Sequence, residues 1–245
     1  MSGHSKWQNI KHRKEAQDQK RGKVFSKYAR LIAVAVKEGG STDPEFNAKL
    51  KMTVERAKIE NMPKENIQRA IESAAKKKEA VEEVILEGYG PGGIAIFVEA
   101  ISDNRQRTIQ EIKNIFSKNE GSLAEPGSVA FQFDKKGLVE VQNPKNEEKT
   151  LQLIDFGAEE IEEDGEALII WVSPEVLESF KDKLTQAGFS IKRVELAMKP
   201  KAFLTISDPQ KAKAALRLLE LLEDHDDVQQ VSTNVDILEE MTNGG

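Results

Sequence analysis

The chain has 245 residues, 38% hydrophobic and 32% charged, which suits one to three globular cores beneath a heavily solvated surface. It has no cysteine and three histidines (His4, His12 and His225), which excludes disulfides, thiolate metal sites and cysteine nucleophiles and leaves little for a histidine-rich metal centre. The net charge of −6 hides a split: residues 1–78 carry 19 Lys+Arg against 9 Asp+Glu (+10), and residues 79–245 carry 17 against 33 (−16).

The positive part comes first. Nine cations stand against two acids, Glu15 and Asp18, in the first thirty residues. They are Lys6, Lys11, Arg13, Lys14, Lys20, Arg21, Lys23, Lys27 and Arg30, with Trp7 and His12 interleaved. Such a tract can neutralise several phosphates and release their counterions, which gives a salt-sensitive affinity with little sequence preference. An indole beside it can stack on an exposed base. These eleven residues are the candidate nucleic-acid-binding set; a merely solvated cationic helix face is the competing reading.

Three amphipathic helices are predicted within residues 1–78. Phe25, Tyr28, Ile32 and Val36 recur at helical spacing, and Gly39-Gly40 closes that helix. Thr42 with Glu45 three residues on, and Pro44 in the first turn, predict the next start, with Phe46, Leu50, Val54 and Ala57 as its apolar stripe. Pro63 opens a third helix with Ile67, Ala70, Ile71 and Ala74 on its inner face.

Strands are predicted over Glu83–Gly88 and Ile94–Ile101, around the turn Gly88-Tyr89-Gly90-Pro91-Gly92-Gly93. No Gly-Lys-Ser/Thr follows and the loop leads into a strand, so it reads as a hairpin turn and not a phosphate cradle. Tyr89 and Pro91 make it a candidate recognition loop. Asp103 or Asn104 caps a helix carrying Ile109, Ile112, Ile115 and Phe116, and its first turn offers Arg105 and Arg107 as a candidate anion clamp. A further strand is expected over Ser128–Phe133.

Residues 136–199 read in the order β-α-β-β-α-β, with helix positions Leu151 and Ile154 and a hairpin at Asp164-Gly165. Beyond Pro200, a helix from Asp208-Pro209 to about Glu223 and a strand over Val228–Val235 lack partners of their own. The expected fold class is multi-domain α plus α+β: a three-helix bundle followed by two α/β sandwich domains, one ferredoxin-like and inserted in the other. The domains are 1–78, then 79–135 together with 200–240, and 136–199 inserted. The acidic runs Glu159–Asp164 and Glu223–Asp227 lack the alternation and glycine of a calcium loop and read as solvated strand ends and turns. No catalytic signature, cofactor motif or metal site is found, so a non-enzymatic protein is expected. The longest apolar run, Leu31–Val36, falls far short of the roughly 20 residues of a membrane span, and the polar start does not resemble a secretory signal. A cytoplasmic location is the expectation.

The run Gly3-His4-Ser5-Lys6-Trp7-Gln8-Asn9-Ile10-Lys11-His12-Arg13-Lys14 closely resembles the start of the YebC/PmpR family. The resemblance extends through Asn61–Lys64 with Asn66-Ile67, Glu87–Gly93, Asp103–Thr108 and Gly127–Val129, in order along nearly the whole chain. Departures are Gln106 in place of Asn, and Glu120 and Ala124 where glycines are usual. What the resemblance implies is a three-domain protein whose bacterial members are described as probable DNA-binding transcriptional regulators. Mitochondrial relatives are described as translational activators, and bacterial members have been linked to ribosomes. The partner is accordingly DNA or, alternatively, ribosomal RNA, with protein partners reached through the acidic α/β domains. No base-contacting residues come with the resemblance; the binding set rests on charge.

Overall fold

The computed structural model describes residues 4–6, 21–76 and 81–238. Two compact units result: Asp134–Lys199, and the remainder of the chain on either side of it. The architecture is mixed α/β, with sheets paired antiparallel except for the parallel pair of Leu204–Ile206 with Val235–Leu238, and seven α-helices among the described residues.

Helices α1 (Arg21–Gly39), α2 (Ala48–Ile59) and α3 (Lys64–Lys76) open the larger unit. Each turns one apolar stripe inward: Ile32, Ala35 and Val36 meet Leu50, Val54 and Ala57, and Met62, Ile67 and Ile71 complete a closed core. Phe25 and Tyr28 pack on its edge. The expected start at Thr42 is displaced. Residues 42–46 form a turn in which the Phe46 N–H donates to the Asp43 carbonyl (3.1 Å), and Asn47 is the N-cap, accepting from the Leu50 N–H at 3.0 Å. Asn47 Nδ2 also donates to the carbonyls of Ala35 (2.8 Å) and Ser41 (2.9 Å), so one buried amide ties the end of α1 to the start of α2. The helix therefore begins after Phe46, which points away from the core and is 82% exposed.

The same unit holds a four-stranded sheet ordered β10-β3-β2-β4, formed by β2 (Glu82–Tyr89), β3 (Ala95–Ser102), β4 (Ser122–Ala124) and β10 (Val228–Thr233). Strands β2 and β3 pair from Glu82↔Ser102 to Tyr89↔Ala95, and the glycine-rich segment is the hairpin turn between them. Gly90 N–H donates to the Ile94 carbonyl (2.9 Å), and Gly92 and Gly93 take positive φ values of 77° and 82°, which glycine tolerates at little cost. Helices α4 (Arg105–Lys118) and α7 (Pro209–Glu223) bury Ile112, Phe116, Leu218, Leu219 and Leu222 against Val84, Ile96 and Val98 of the sheet. Asn104 caps α4 and Asp208 caps α7. A small second sheet, ordered β1-β11-β9, joins β1 (His4–Lys6), β11 (Val235–Leu238) and β9 (Leu204–Ile206). The single strand expected over 228–235 is thus two strands in different sheets, divided at Asn234.

The strand expected over Ser128–Phe133 is corrected too. Only Phe133 is extended; a short 3-10 turn, Ala130–Gln132, precedes it. The Glu87 carboxylate claims the N–H groups of Gly127, Val129 and Ala130, which bends this stretch out of any ladder.

The smaller unit carries β5 (Phe133–Gln142, entering from the larger unit), β6 (Glu160–Asp164), β7 (Ala167–Val172) and β8 (Ile191–Pro200), in sheet order β6-β7-β5-β8. Its helices are α5 (Glu147–Phe156) and α6 (Leu177–Gln186). Leu153, Leu177, Phe180 and Leu184 are fully enclosed. Leu151 and Ile154 lie in α5 as expected and are exposed, and Leu153 between them is the buried residue. No helix among the described residues is long and apolar enough to cross a membrane.

Candidate nucleic-acid interface

Helix α1 has two faces of opposite character. Ile32, Ala35 and Val36 enter the helical core, and Lys23, Lys27 and Arg30, four and three residues apart, form a row on another face. That row does not stand free in solvent. Lys23 Nζ lies 3.3 Å from Asp224 Oδ1 and donates to the Asp224 carbonyl at 3.4 Å. Lys27 Nζ donates to the Glu223 carbonyl at 2.8 Å. Arg30 donates to the Asp226 carbonyl and reaches Asp227 Oδ1 at 2.5 Å. Three candidate phosphate ligands are therefore seated on the end of α7 and the turn after it. The last carbonyls of a helix lack intrahelical partners and carry the negative end of its dipole, which is why cations gather there.

Asp227 anchors this contact, and it corrects the reading of Glu223–Asp227 as a solvated turn. Its side chain is 3% exposed. Oδ1 faces Arg30, and Oδ2 accepts from Arg107 (2.8 Å) and from the Thr108 hydroxyl (2.6 Å). Burial alone would raise its pKa, but the Thr108 and Arg107 hydrogen bonds and the charges of Arg30 and Arg107 outweigh it and hold the carboxyl below the usual range. Arg107 also pairs with Asp103 (2.9 Å) and lies 3.8 Å from Glu111. Its pKa is raised first by the hydrogen bond to Asp227. Of the two candidate clamp residues, Arg107 is thus part of an internal charge network. Arg105 is exposed at the first turn of α4.

Glu111, His225 and Asp227 bring three potential metal-ligand atoms within 4.8 Å of one another. Their hydrogen bonds serve a different end. His225 Nδ1 accepts the Asp227 N–H at 3.1 Å, which leaves the neutral ring's proton on Nε2, facing Glu111 Oε2 at 3.1 Å. A cation on Nε2 would have to remove that proton, and both Asp227 oxygens are already engaged by arginine and threonine. The cluster fastens α4 and α1 to the 223–227 turn.

In the loop region, Pro91 is buried and Tyr89 is partly exposed, its hydroxyl donating to the Ser128 carbonyl at 2.9 Å. Trp7, Lys11, His12, Arg13, Lys14 and Lys20 lie outside the described residues, as do the side chains of Lys6 and Arg21. In the smaller unit three acids of the run Glu159–Asp164 have partners on β5, β8 and β7: Glu159 with Lys136 at 2.7 Å, Glu160 with Lys199, and Glu162 accepting from Trp171 Nε1 at 3.1 Å.

Glu87 escaped the reading of the sequence. It lies among the strand residues that alternate with Val84 and Leu86, a pattern that predicts an exposed acid. It is 5% exposed because residues 127–130 fold over it, donating at 2.7 Å from Gly127, 2.7 Å from Val129 and 2.8 Å from Ala130. Burial pushes its pKa up, and the three backbone N–H bonds bring it below the ordinary value.

Two family models tile the chain: the TACO1/YebC protein N-terminal domain over residues 5–77, and the TACO1/YebC second and third domain over residues 81–235. The chain belongs to the TACO1/YebC family. A relative from Moorella thermoacetica, called a probable transcriptional regulatory protein, is 49% identical over 97% of this chain and 96% of its own. A relative of the same description from Syntrophomonas wolfei is 44% identical over 98% of each. The crystal structure of a conserved hypothetical protein from Aquifex aeolicus superposes with a TM-score of 0.85 at 42% identity, covering 92% of this chain and 95% of that one. The resemblance of the opening segment and of Glu87–Gly93 to the YebC family is therefore a full-length relationship.

Proposed function

We propose that this YebC-family chain is a non-enzymatic, cytoplasmic transcriptional regulator that grips the DNA backbone with its basic N-terminal segment. The observation that carries the reading is the placement of nine cations against two acids in the first thirty residues of an otherwise acidic chain. The names given to full-length relatives at 44–49% identity support it. Lys23, Lys27 and Arg30 are engaged by the 223–227 turn, so first contact falls to Lys6, Lys11, Arg13, Lys14, Lys20 and Arg21, with Trp7 and His12 beside them. Three domains follow from the same reading: the basic helical domain, a middle α+β domain, and a ferredoxin-like domain inserted within it. The two acidic domains repel phosphate and serve protein partners.

Neutralising Lys11, Arg13 and Lys14 together (K11Q/R13Q/K14Q) tests the reading by gel shift on unrelated duplexes across a salt series. Each lost phosphate contact removes about 0.9 from the slope of log affinity against log salt, so the triple variant is expected to lose about 2.7 and to bind every sequence more weakly. An unchanged midpoint and slope would show that the segment does not contact phosphate.

A further inference from the structure

The contact between α1 and the 223–227 turn has a chemistry that helix packing alone does not call for. Three cations at helical spacing meet a run of closely set oxygens: the carbonyls of Glu223, Asp224 and Asp226 and the carboxylates of Asp224 and Asp227. A nucleic-acid backbone offers the same ligands, negatively charged oxygens at short regular intervals. The two ends of the row differ in strength. Arg30 is locked to a buried carboxylate, whereas the Lys23 and Asp224 side chains are 50% and 61% exposed, where an ion pair contributes only about 0–1 kcal/mol. A pocket lined by Lys23, Ser26, Lys27, Arg30, Asp224 and Asp226 runs along this rim, so solvent and a competing anion reach the cations from outside.

Resting on the nucleic-acid reading above, we infer that the turn Glu223–Asp227 is an intramolecular phosphate mimic, which occupies the Lys23–Lys27–Arg30 row in the free chain and yields its rim to a nucleic-acid backbone. The row is then a second, masked part of the interface. Binding proceeds from the 6–21 segment to the row, and the internal competitor lowers the affinity for nucleic acid in general. Short or weakly held polyanions engage only the first segment. Longer ones displace Asp224 from Lys23 and compete with the Glu223 carbonyl for Lys27.

The test uses the full chain and a labelled duplex DNA, followed by fluorescence anisotropy across a salt series. D224N/D226N removes the rim charges and leaves the Asp227 anchor in place; E120Q/E125Q removes the same charge elsewhere on the larger unit. D224N/D226N is expected to tighten binding at least about threefold beyond that control, with a salt slope steeper by about 0.9 as Lys23 loses its carboxylate partner and becomes available. Coupling gives the sharper readout: K23Q/K27Q is expected to cost less than about twofold in the wild-type chain and about fivefold or more in the D224N/D226N chain, because neighbouring sites are not additive. Equal costs in the two backgrounds, or a D224N/D226N chain that matches its control, overturn the mimic. If the wild-type chain binds and K11Q/R13Q/K14Q weakens it while the coupling is zero, only the mimic fails. If no variant binds at all, both readings fail. Should D224N/D226N not fold by circular dichroism, D224N alone, which touches only the exposed Lys23 pair, gives the same coupling measurement against K23Q.

Discussion

Replacing Glu87 by glutamine isolates what one buried carboxylate does for the loop that crosses it. In the native chain Oε1 accepts from Gly127, and Oε2 accepts from both Val129 and Ala130. A carboxamide has a single oxygen. If that oxygen keeps Val129 and Ala130, the new NH2 group faces the Gly127 N–H, donor against donor. Hydrogen bonds to a charged acceptor contribute about 1.5–3 kcal/mol and an unsatisfied buried donor costs about 1–3 kcal/mol, while the part-buried Gly127 N–H regains some water, so a loss of about 2 kcal/mol is expected for E87Q. Alanine at this position strands all three donors and is expected to cost about 3 kcal/mol or more. The pH dependence gives a second handle. The folded pKa is depressed, so the stabilisation by the ionised group is complete above the ordinary glutamate range and is withdrawn as the pH falls through the lower folded value. Urea unfolding followed by circular dichroism at neutral and acidic pH should show a gap between wild type and E87Q that narrows on acidification. A gap below about 0.5 kcal/mol at neutral pH, within the scatter of ordinary surface substitutions, would refute the account, as would one that persists unchanged below the folded pKa.

Asp227→Asn keeps the shape and the Thr108 contact but leaves Arg30 and Arg107 facing a neutral group. Both arginines reach solvent, so the cost is expected at about 2 kcal/mol and not the ~3–5 of a fully enclosed pair, read as a lower urea midpoint. The folded pKa of Asp227 is also depressed, so this difference too should shrink as the pH falls through it. Glu120 sits at φ 58°, a left-handed conformation that costs a side-chain-bearing residue roughly 1–2 kcal/mol, and E120G is expected to raise stability by about 0.5–1 kcal/mol after the entropy of the freer unfolded chain is subtracted. Equal or lower thermal stability of E120G would count against strain at that turn.

The parts of the fold legible in the sequence were those fixed by local periodicity. Helix α1 announces itself through Tyr28, Ile32 and Val36 and its closing glycines, and the hairpin through Gly90–Gly93, where backbone needs coincide with residue type. Misreadings arose where a polar group is satisfied from far away. Thr42, Pro44 and Glu45 carry every local mark of a helix start, yet Asn47 holds the cap because its amide also reaches Ala35. Gly39 makes that approach possible, since a Cβ there would lie 2.3 Å from the Asn47 side chain. The Ser128–Phe133 strand failed for a like reason: the acid that bends it lies about forty residues earlier. In the candidate site, charge counting found Lys23, Lys27 and Arg30 but had no means of seeing their partners, because Glu223–Asp227 is close in space and almost two hundred residues away in the chain. Arg107 was singled out for its place in a first helical turn, while Asp227, which fixes its role, looked like one more surface acid.

The strand order of the larger unit sets a timetable for synthesis. Strand β3 lies between β2 and β10, and β10 begins at Val228, whereas β3 ends at Ser102. At about 5–20 residues per second, the ribosome needs roughly 6–25 seconds to deliver the missing neighbour, and β3 keeps one bare edge for that interval. The smaller unit, contiguous from Asp134 to Lys199, emerges whole in the meantime. It is free to fold first, whereas the sheet of the larger unit closes only when the last sixth of the chain arrives. Even β1, among the first residues made, waits for β11. A chain truncated before Val228 should therefore retain a native smaller unit and expose the β3 edge to aggregation.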